Sequence, residues 1–268
     1  MTSAAPGTAH SKGTEAPAAD VILTVSGLQK SFGGVHAVRD CSFKAAAGTI
    51  TGLIGPNGAG KTTAFNLITG VLRPTAGHVT FRGTDLSGLP AHRVSAAGIG
   101  RTFQVTRVFE DMTVLDNVVI HASKGAMRAF LSPRVTHAER QRALSLLDFL
   151  GLTRLAYEPA GSLSYGQRKL LELAGVLMAE PTMIMLDEPA GGVNPRLLDE
   201  IIEHIRELNK SGVTFLIVEH NMDLVMSLCD SVVVMADGQV MRQGSPREIQ
   251  ADDEVLSAYL GGAVGGAQ

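Results

Sequence analysis

The stretch Gly55-Pro56-Asn57-Gly58-Ala59-Gly60-Lys61-Thr62 decides how the rest of this chain is read. It fits G-x-x-x-x-G-K-S/T, a phosphate-cradling loop set between a strand and a helix. Each residue type has a task. The glycines let the backbone wrap so that N–H groups point inward at phosphate oxygens. A helix starting near Gly60 aims its positive end at the same anion. Lys61 brings a mobile point charge to the outer phosphates. The Thr62 hydroxyl suits Mg²⁺, an ion that prefers oxygen ligands. The flanks agree: Ile50–Ile54 is a short apolar run that predicts a strand, and a helix is predicted from about Gly60 to Thr69.

Moving outward, the chain alternates strand and helix signals. Val21–Val25, Ser42–Lys44 and Val79–Arg82 read as strands, as do the buried-type runs Met183–Leu186, Val213–Val218 and Val232–Met235. Leu170, Leu173, Ala174 and Leu177 recur at helical spacing, and so do Leu198, Ile201, Ile205 and Leu208 behind Pro195. Asp237-Gly238 is a hairpin turn signal. This alternation predicts an α/β fold with a parallel sheet covered by helices. A helical stretch at about 86–160 interrupts it and reads as an inserted lobe. Residues 1–20 and 262–268, rich in small and polar residues, read as a disordered N-terminal tail and a flexible C-terminal tail around an ordered unit at 21–261.

Met183–Leu186 runs into Asp187 and Glu188, two adjacent carboxylates at a strand end. Asp187 is placed to hold Mg²⁺, and Glu188, one residue further, to polarise an attacking water. The loop at 55–62 alone means only a nucleoside-triphosphate enzyme; the added carboxylates point to hydrolysis. Net charge is −3 and no basic stripe is visible, which argues against nucleic acid as a partner. The two cysteines, Cys41 and Cys229, form neither a metal cluster nor a disulfide framework and read as small buried apolar residues. No run approaches the roughly 18 apolar residues of a spanning helix, so any membrane link is expected through a partner.

Between the two motifs lies Leu163-Ser164-Tyr165-Gly166-Gln167. It resembles the signature motif of ABC-type ATPases, usually LSGGQ, and the chain from Val21 to Gly261 resembles an ABC nucleotide-binding domain: a P-loop NTPase with a mixed sheet core, an antiparallel β part and an inserted helical lobe. The family's elements occur in order: Phe32, the P-loop, Gln104, the signature, Asp187-Glu188 and His220. The resemblance implies that Phe32 stacks on adenine and that Asn57, Gly58, Gly60, Lys61, Thr62 and Thr63 hold the phosphates of ATP. It makes Thr62, Gln104 and Asp187 the Mg²⁺ residues, and Glu188, His220 and Gln104 the catalytic ones. Ser164, Gly166 and Gln167 would meet the γ-phosphate bound to a second ATPase subunit, a related chain or a second copy of this one. The sequence departs from the family at Tyr165, usually Gly, and at Asn194, often Asp.

Ser31-Phe32-Gly33-Gly34, Gly100-Arg101-Thr102-Phe103-Gln104, Tyr165-Gly166-Gln167, Val218-Glu219-His220-Asn221-Met222 and Ala258-Tyr259-Leu260-Gly261 are similar to the larger ATPase of branched-chain amino acid importers. That likeness implies transmembrane permease subunits as partners, a substrate-binding protein reached indirectly, and a peripheral place on the cytoplasmic face of the cell membrane. Soluble ABC ATPases acting on DNA or ribosomes are the competing class. They usually carry two modules or a long coiled coil, whereas this chain has one P-loop, one signature and no heptad run.

Overall fold

The computed structural model describes residues 20–102, 108–122 and 135–257. Both expected tails, apart from Asp20, lie outside the described residues, as do Gln104 and the closing string 258–261.

Four strands form the centre: β3 (Ile50–Ile54), β7 (Met183–Asp187), β8 (Thr214–Val218) and β9 (Ser231–Ala236). They are parallel, with Ile50 opposite Phe215, Asp187 opposite Val218 and Ile54 opposite Val234. Both faces are covered, which is why these strands read as continuous apolar runs. Because side chains alternate across a strand, Ile184, Leu186, Phe215, Ile217, Val232 and Val234 enter one core. Their neighbours Met183, Met185, Leu216, Val218, Val233 and Met235 enter the other.

The second core is closed by an antiparallel part and by helix α1 (Lys61–Ile68). The antiparallel part comprises β1 (Val21–Phe32), β2 (Val35–Ala46), β4 (Ala76–Phe81) and β5 (Thr84–Asp85). The early strands are longer than the sequence pattern predicted, since much of β1 and β2 faces solvent and carries polar residues. β10 (Gln239–Gly244) returns antiparallel to β9 through the expected Asp237-Gly238 turn, both residues at positive φ (47° and 79°). It meets β2 at Gln239 opposite Asp40, and with the short strand β6 (Ile99–Arg101) this makes one ten-stranded mixed sheet in the order β5-β4-β1-β2-β10-β9-β3-β8-β7-β6.

The first core is closed by helices. Short α2 (Ala91–Ala96) is followed by α3 (Val114–Val119), α4 (His137–Phe149) and α5 (Tyr165–Met178), and the last three pack together through Val118, Leu147 and Ala174. α4 opens on a reciprocal capping box between Thr136 and Glu139. Inside the stretch at about 86–160 read as a helical lobe, Ile99–Arg101 forms β6, a strand parallel to β7. The backbone of Gly100 lies so close to α5 that a Cβ there would sit 2.5 Å from Val176 Cγ1. α6 (Pro195–Lys210), α7 (Met222–Leu228) and α8 (Pro246–Gln250) complete the layer. Asn194, one of the two departures, is the N-cap of α6: its Oδ1 accepts from Leu197 N at 3.0 Å.

Candidate functional site

Parallel strands end on one edge of a sheet, and their following loops gather there. β3 runs into the P-loop, β7 ends at Asp187, β8 leads to Glu219 and His220, and β6 ends at Arg101. One edge therefore collects the sequence-predicted residues that carry most of the chemistry.

The P-loop is held by close backbone packing. A Cβ on Gly55 (φ 150°) would sit 2.1 Å from the Met235 carbonyl oxygen, and one on Gly60 (φ 92°) 2.5 Å from that of Ala37. Lys61 folds back over the loop: its Nζ donates to the carbonyls of Gly55 at 2.6 Å and Pro56 at 3.0 Å. An ammonium has three protons, so two brace the loop and one is left for a ligand. The first-turn N–H groups of a helix have no intrahelical acceptor, and Gly60 caps α1 without a side-chain hydrogen bond. An anion therefore meets uncapped N–H groups and a lysine whose pKa burial lowers, with the Glu188 carboxylate opposing that shift. Asn57 and Gly58 stand exposed at the loop's crest, with Thr62 exposed behind them and Thr63 beside it half-buried. This cradle fits a nucleotide's phosphate chain. The Thr62 hydroxyl and the Asp187 carboxylate supply only oxygen donors, the set that Mg²⁺ takes.

Asp187 is buried at the tip of β7. Burial raises its pKa, against the Arg101 guanidinium 3.9 Å away, while Glu188 adds to the rise. Arg101 also donates to Thr69 Oγ1 at 2.7 Å and lies 4.7 Å from the Phe65 ring centroid, so it is fixed from α1. Glu188 has φ 50°, a left-handed conformation costly for a residue with a Cβ. Its N–H donates to Val218 O at 2.9 Å. Its carboxyl, 29% exposed, faces His220, with Oε1 3.8 Å from Nδ1.

The signature residues open helix α5. Ser164 is the N-cap of α5. Its Oγ accepts from Gln167 N at 3.3 Å and its own N–H donates to Gln167 Oε1 at 2.9 Å, a complete capping box. Gly166 lies against Leu197 of α6, where a Cβ would be 1.9 Å from Cδ2. Tyr165, the other departure, leans on Gly192 and stacks beneath Lys169 Nζ, 5.5 Å from its ring centroid. Phe32 ends β1 exposed, with Lys30 Nζ 5.1 Å from its ring centroid. Gln104 lies outside the described residues.

Two residues that the sequence reading passed over converge here. Glu219, 0% exposed, accepts from Ala190 N at 2.9 Å, His220 N at 2.9 Å and Asn221 N at 3.2 Å. Lys169 Nζ donates to the carbonyls of Glu188 at 3.1 Å, Pro189 at 3.2 Å and Gly191 at 2.6 Å. Only the adjacency of Glu219 to His220 hinted at the first; nothing in the sequence pattern marked the second.

Comparison with known proteins identifies the family. Residues 38–191 match the ABC transporter family, and residues 243–265 match the branched-chain amino acid ATP-binding cassette transporter family. The chain is 40% identical over 251 residues to the high-affinity branched-chain amino acid transport ATP-binding protein BraF of Pseudomonas aeruginosa, covering 90% of this chain and 98% of that protein. It is 38% identical, with the same coverage, to the corresponding LivG protein of Escherichia coli. Its structure resembles the ADP conformation of an ATP-binding cassette of an ABC transporter, with a TM-score of 0.80 and 35% identity over 90% of this chain and 99% of that one. The chain belongs to the ATP-binding subunits of ABC transporters, the ATPases that power transport, and within them to the group of the branched-chain amino acid transport proteins.

Proposed function

We propose that this chain hydrolyses MgATP to drive import of branched-chain amino acids through partner permease subunits. The observation that carries the reading is the meeting of the P-loop, Asp187, Glu188 and His220 at one sheet edge, with Glu188 and His220 3.8 Å apart. Lys61 and the first-turn N–H groups of α1 bind the phosphates, Asn57, Gly58, Gly60 and Thr63 shape that cradle, and Phe32 stacks on adenine. Thr62, Asp187 and Gln104 would hold Mg²⁺, which would supply charge neutralisation for the phosphates. Glu188 orients water for in-line attack and takes up its proton as the γ-phosphorus–oxygen bond breaks and ADP leaves with the electron pair. His220 holds the γ-phosphate and that water together.

Ser164, Gly166 and Gln167 complete the site of a second ATPase subunit. The uncapped side of the Ser164 hydroxyl is a donor ready for a phosphate oxygen. The family resemblance implies a related chain as that subunit, with a second copy of this one as the alternative. The permease docks in the groove lined by Thr69, His92, Phe109, His121 and Val176. Phe109 is exposed there, an apolar anchor for a partner. Among the described residues no helix is long and apolar enough to cross a membrane. This reading gives the chain a peripheral position on the cytoplasmic face of the membrane, with the substrate-binding protein reached only through the permease.

The test is uptake of labelled leucine by cells lacking the chain, restored with the wild type or with Glu188→Gln. Restoration by the wild type alone supports the reading. Uptake unaffected by loss of the chain refutes the substrate, and restoration by both refutes the coupling to hydrolysis. Purifying the tagged complex and counting ATPase species by mass tests the partner: two copies of this chain and no relative would overturn the paired arrangement.

A further inference from the structure

We propose that Glu219 and Lys169 form a two-sided clamp on the backbone at 188–191, and that Glu219 is a positioning residue which fixes Glu188 and His220 relative to each other. The proposal rests on the catalytic roles given to those two residues above.

The loop is held by complementary charges. On one side Lys169, from the helix that begins at the signature, spends three donors on three carbonyls, those of Glu188, Pro189 and Gly191. On the other, the Glu219 carboxylate takes the Ala190 N–H on Oε1 and the N–H groups of His220 and Asn221 on Oε2. One side chain thus ties the backbone next to Glu188 to the backbone of His220. Its own N–H reaches Leu53 O at 3.4 Å, on the strand that feeds the P-loop. Glu219 is therefore bonded to the segments that carry three parts of the site.

Stability alone is a poor reason for this carboxylate. A fully buried charge pays a desolvation penalty that a well-packed neutral side chain avoids. What the carboxylate supplies is geometric: an acceptor on both oxygens, facing donors from two loops some thirty residues apart in sequence. Glu188 needs such restraint, because its φ of 50° persists only where its surroundings impose it. Burial lowers the Lys169 pKa, with Glu219, Glu172 and Glu188 acting the other way. The clamp also gives a physical path from the signature helix to the catalytic carboxylate within one subunit.

Glutamine is nearly isosteric with Glu219 but has one acceptor where the site needs two. In Glu219→Gln the amide NH₂ must face an N–H donor. Keeping the two bonds to His220 and Asn221 turns it onto Ala190 N, and the Glu188 loop is released. Bonds to a charged acceptor are among the stronger ones, so turnover should fall roughly ten- to a hundredfold. MgATP affinity should change less than about twofold to threefold, because the P-loop is untouched. Lys169→Met frees the same loop from the other side and should show the same split. The double variant should lose much less than the product of the two single effects, since both act on one element.

The experiment measures ATP turnover and MgATP affinity for Glu219→Gln, Lys169→Met and the double variant, with Glu188→Gln in parallel. A selective, non-multiplicative loss of turnover supports the clamp. Wild-type turnover in Glu219→Gln overturns it, and so does an equal loss of turnover and affinity, which marks a merely structural residue. If Glu188→Gln itself still hydrolyses ATP, the reading of the catalytic site fails first. If Glu188→Gln is inactive while Glu219→Gln is normal, only the clamp fails.

Discussion

Replacing Lys61 by methionine separates what this lysine does for the loop from what it does for the nucleotide. Its Nζ, on a residue only 9% exposed, braces the loop through the carbonyls of Gly55 and Pro56. Such bonds are worth about 1.5–3 kcal/mol each. The burial that lowers the lysine's pKa works against them, and methionine carries no such penalty. The two effects largely offset, so the ligand-free transition should move by less than about 4 °C, taking roughly 2–4 °C per kcal/mol for a chain of this size. The nucleotide side is different. A unit charge pair at about 4 Å in an effective dielectric of about 20 is worth ~4 kcal/mol, close to a thousandfold in affinity. At MgATP about 100 times the wild-type Kd, the wild type gains ~2.7 kcal/mol by mass action, a rise of roughly 5–10 °C. The variant at the same concentration should gain less than about 0.1 kcal/mol, which a thermal scan would not detect. The assay is calorimetry with and without MgATP. An undiminished MgATP shift in Lys61→Met refutes the reasoning, and a ligand-free transition lowered by more than about 10 °C makes the lysine chiefly structural.

Three other perturbations test separate parts of the account. Gly60→Ala places a Cβ 2.5 Å from the Ala37 carbonyl in a left-handed conformation; it should cost at least about 1–2 kcal/mol of stability and abolish the MgATP shift. A folded-state pKa raised above its unfolded value, as for Asp187, means that folding binds a proton and stability falls as pH rises through that window. The buried Asp187 carboxylate is thus a cost at neutral pH, so Asp187→Asn should raise the ligand-free melting temperature near pH 7, gain less at pH 4, and lose Mg²⁺-dependent nucleotide binding. His220→Ala should slow hydrolysis at least about tenfold with ATP affinity nearly unchanged, the pattern of a contact made mainly in the transition state; equal losses would point to a structural histidine.

The elements legible in the sequence were those whose pattern is set by burial on both faces or by a special backbone angle. Ile50–Ile54, Met183–Asp187 and Thr214–Val218 are buried along their whole length because both cores claim alternate residues. Asp237-Gly238 is a turn because both residues sit at positive φ. β6 escaped because three residues, Ile99–Arg101, are too few to display a period, and their strand character comes from pairing with β7. The site divides in the same way. Asp187 and Glu188 are found by adjacency at the end of an apolar run, Lys61 by the P-loop motif, and His220 by the family resemblance. The bond from Glu219 to Ala190 N and the three bonds of Lys169 are found only in three dimensions, since those partners are main-chain groups of a loop distant in sequence. Ser164 and Gln167 show the opposite case: a capping box explains them fully within one chain, and only the family resemblance gives them a further task.

The central claim is that Glu188 drives hydrolysis in a site shared between two ATPase subunits. It is tested most directly by incubating Glu188→Gln with MgATP while measuring phosphate release and molecular mass by light scattering. The account predicts turnover below about one-hundredth of wild type, a loss of about 2.7 kcal/mol or more of transition-state stabilisation, with ATP retained and the chain shifted to a nucleotide-held dimer. Near-normal phosphate release by this variant would contradict it.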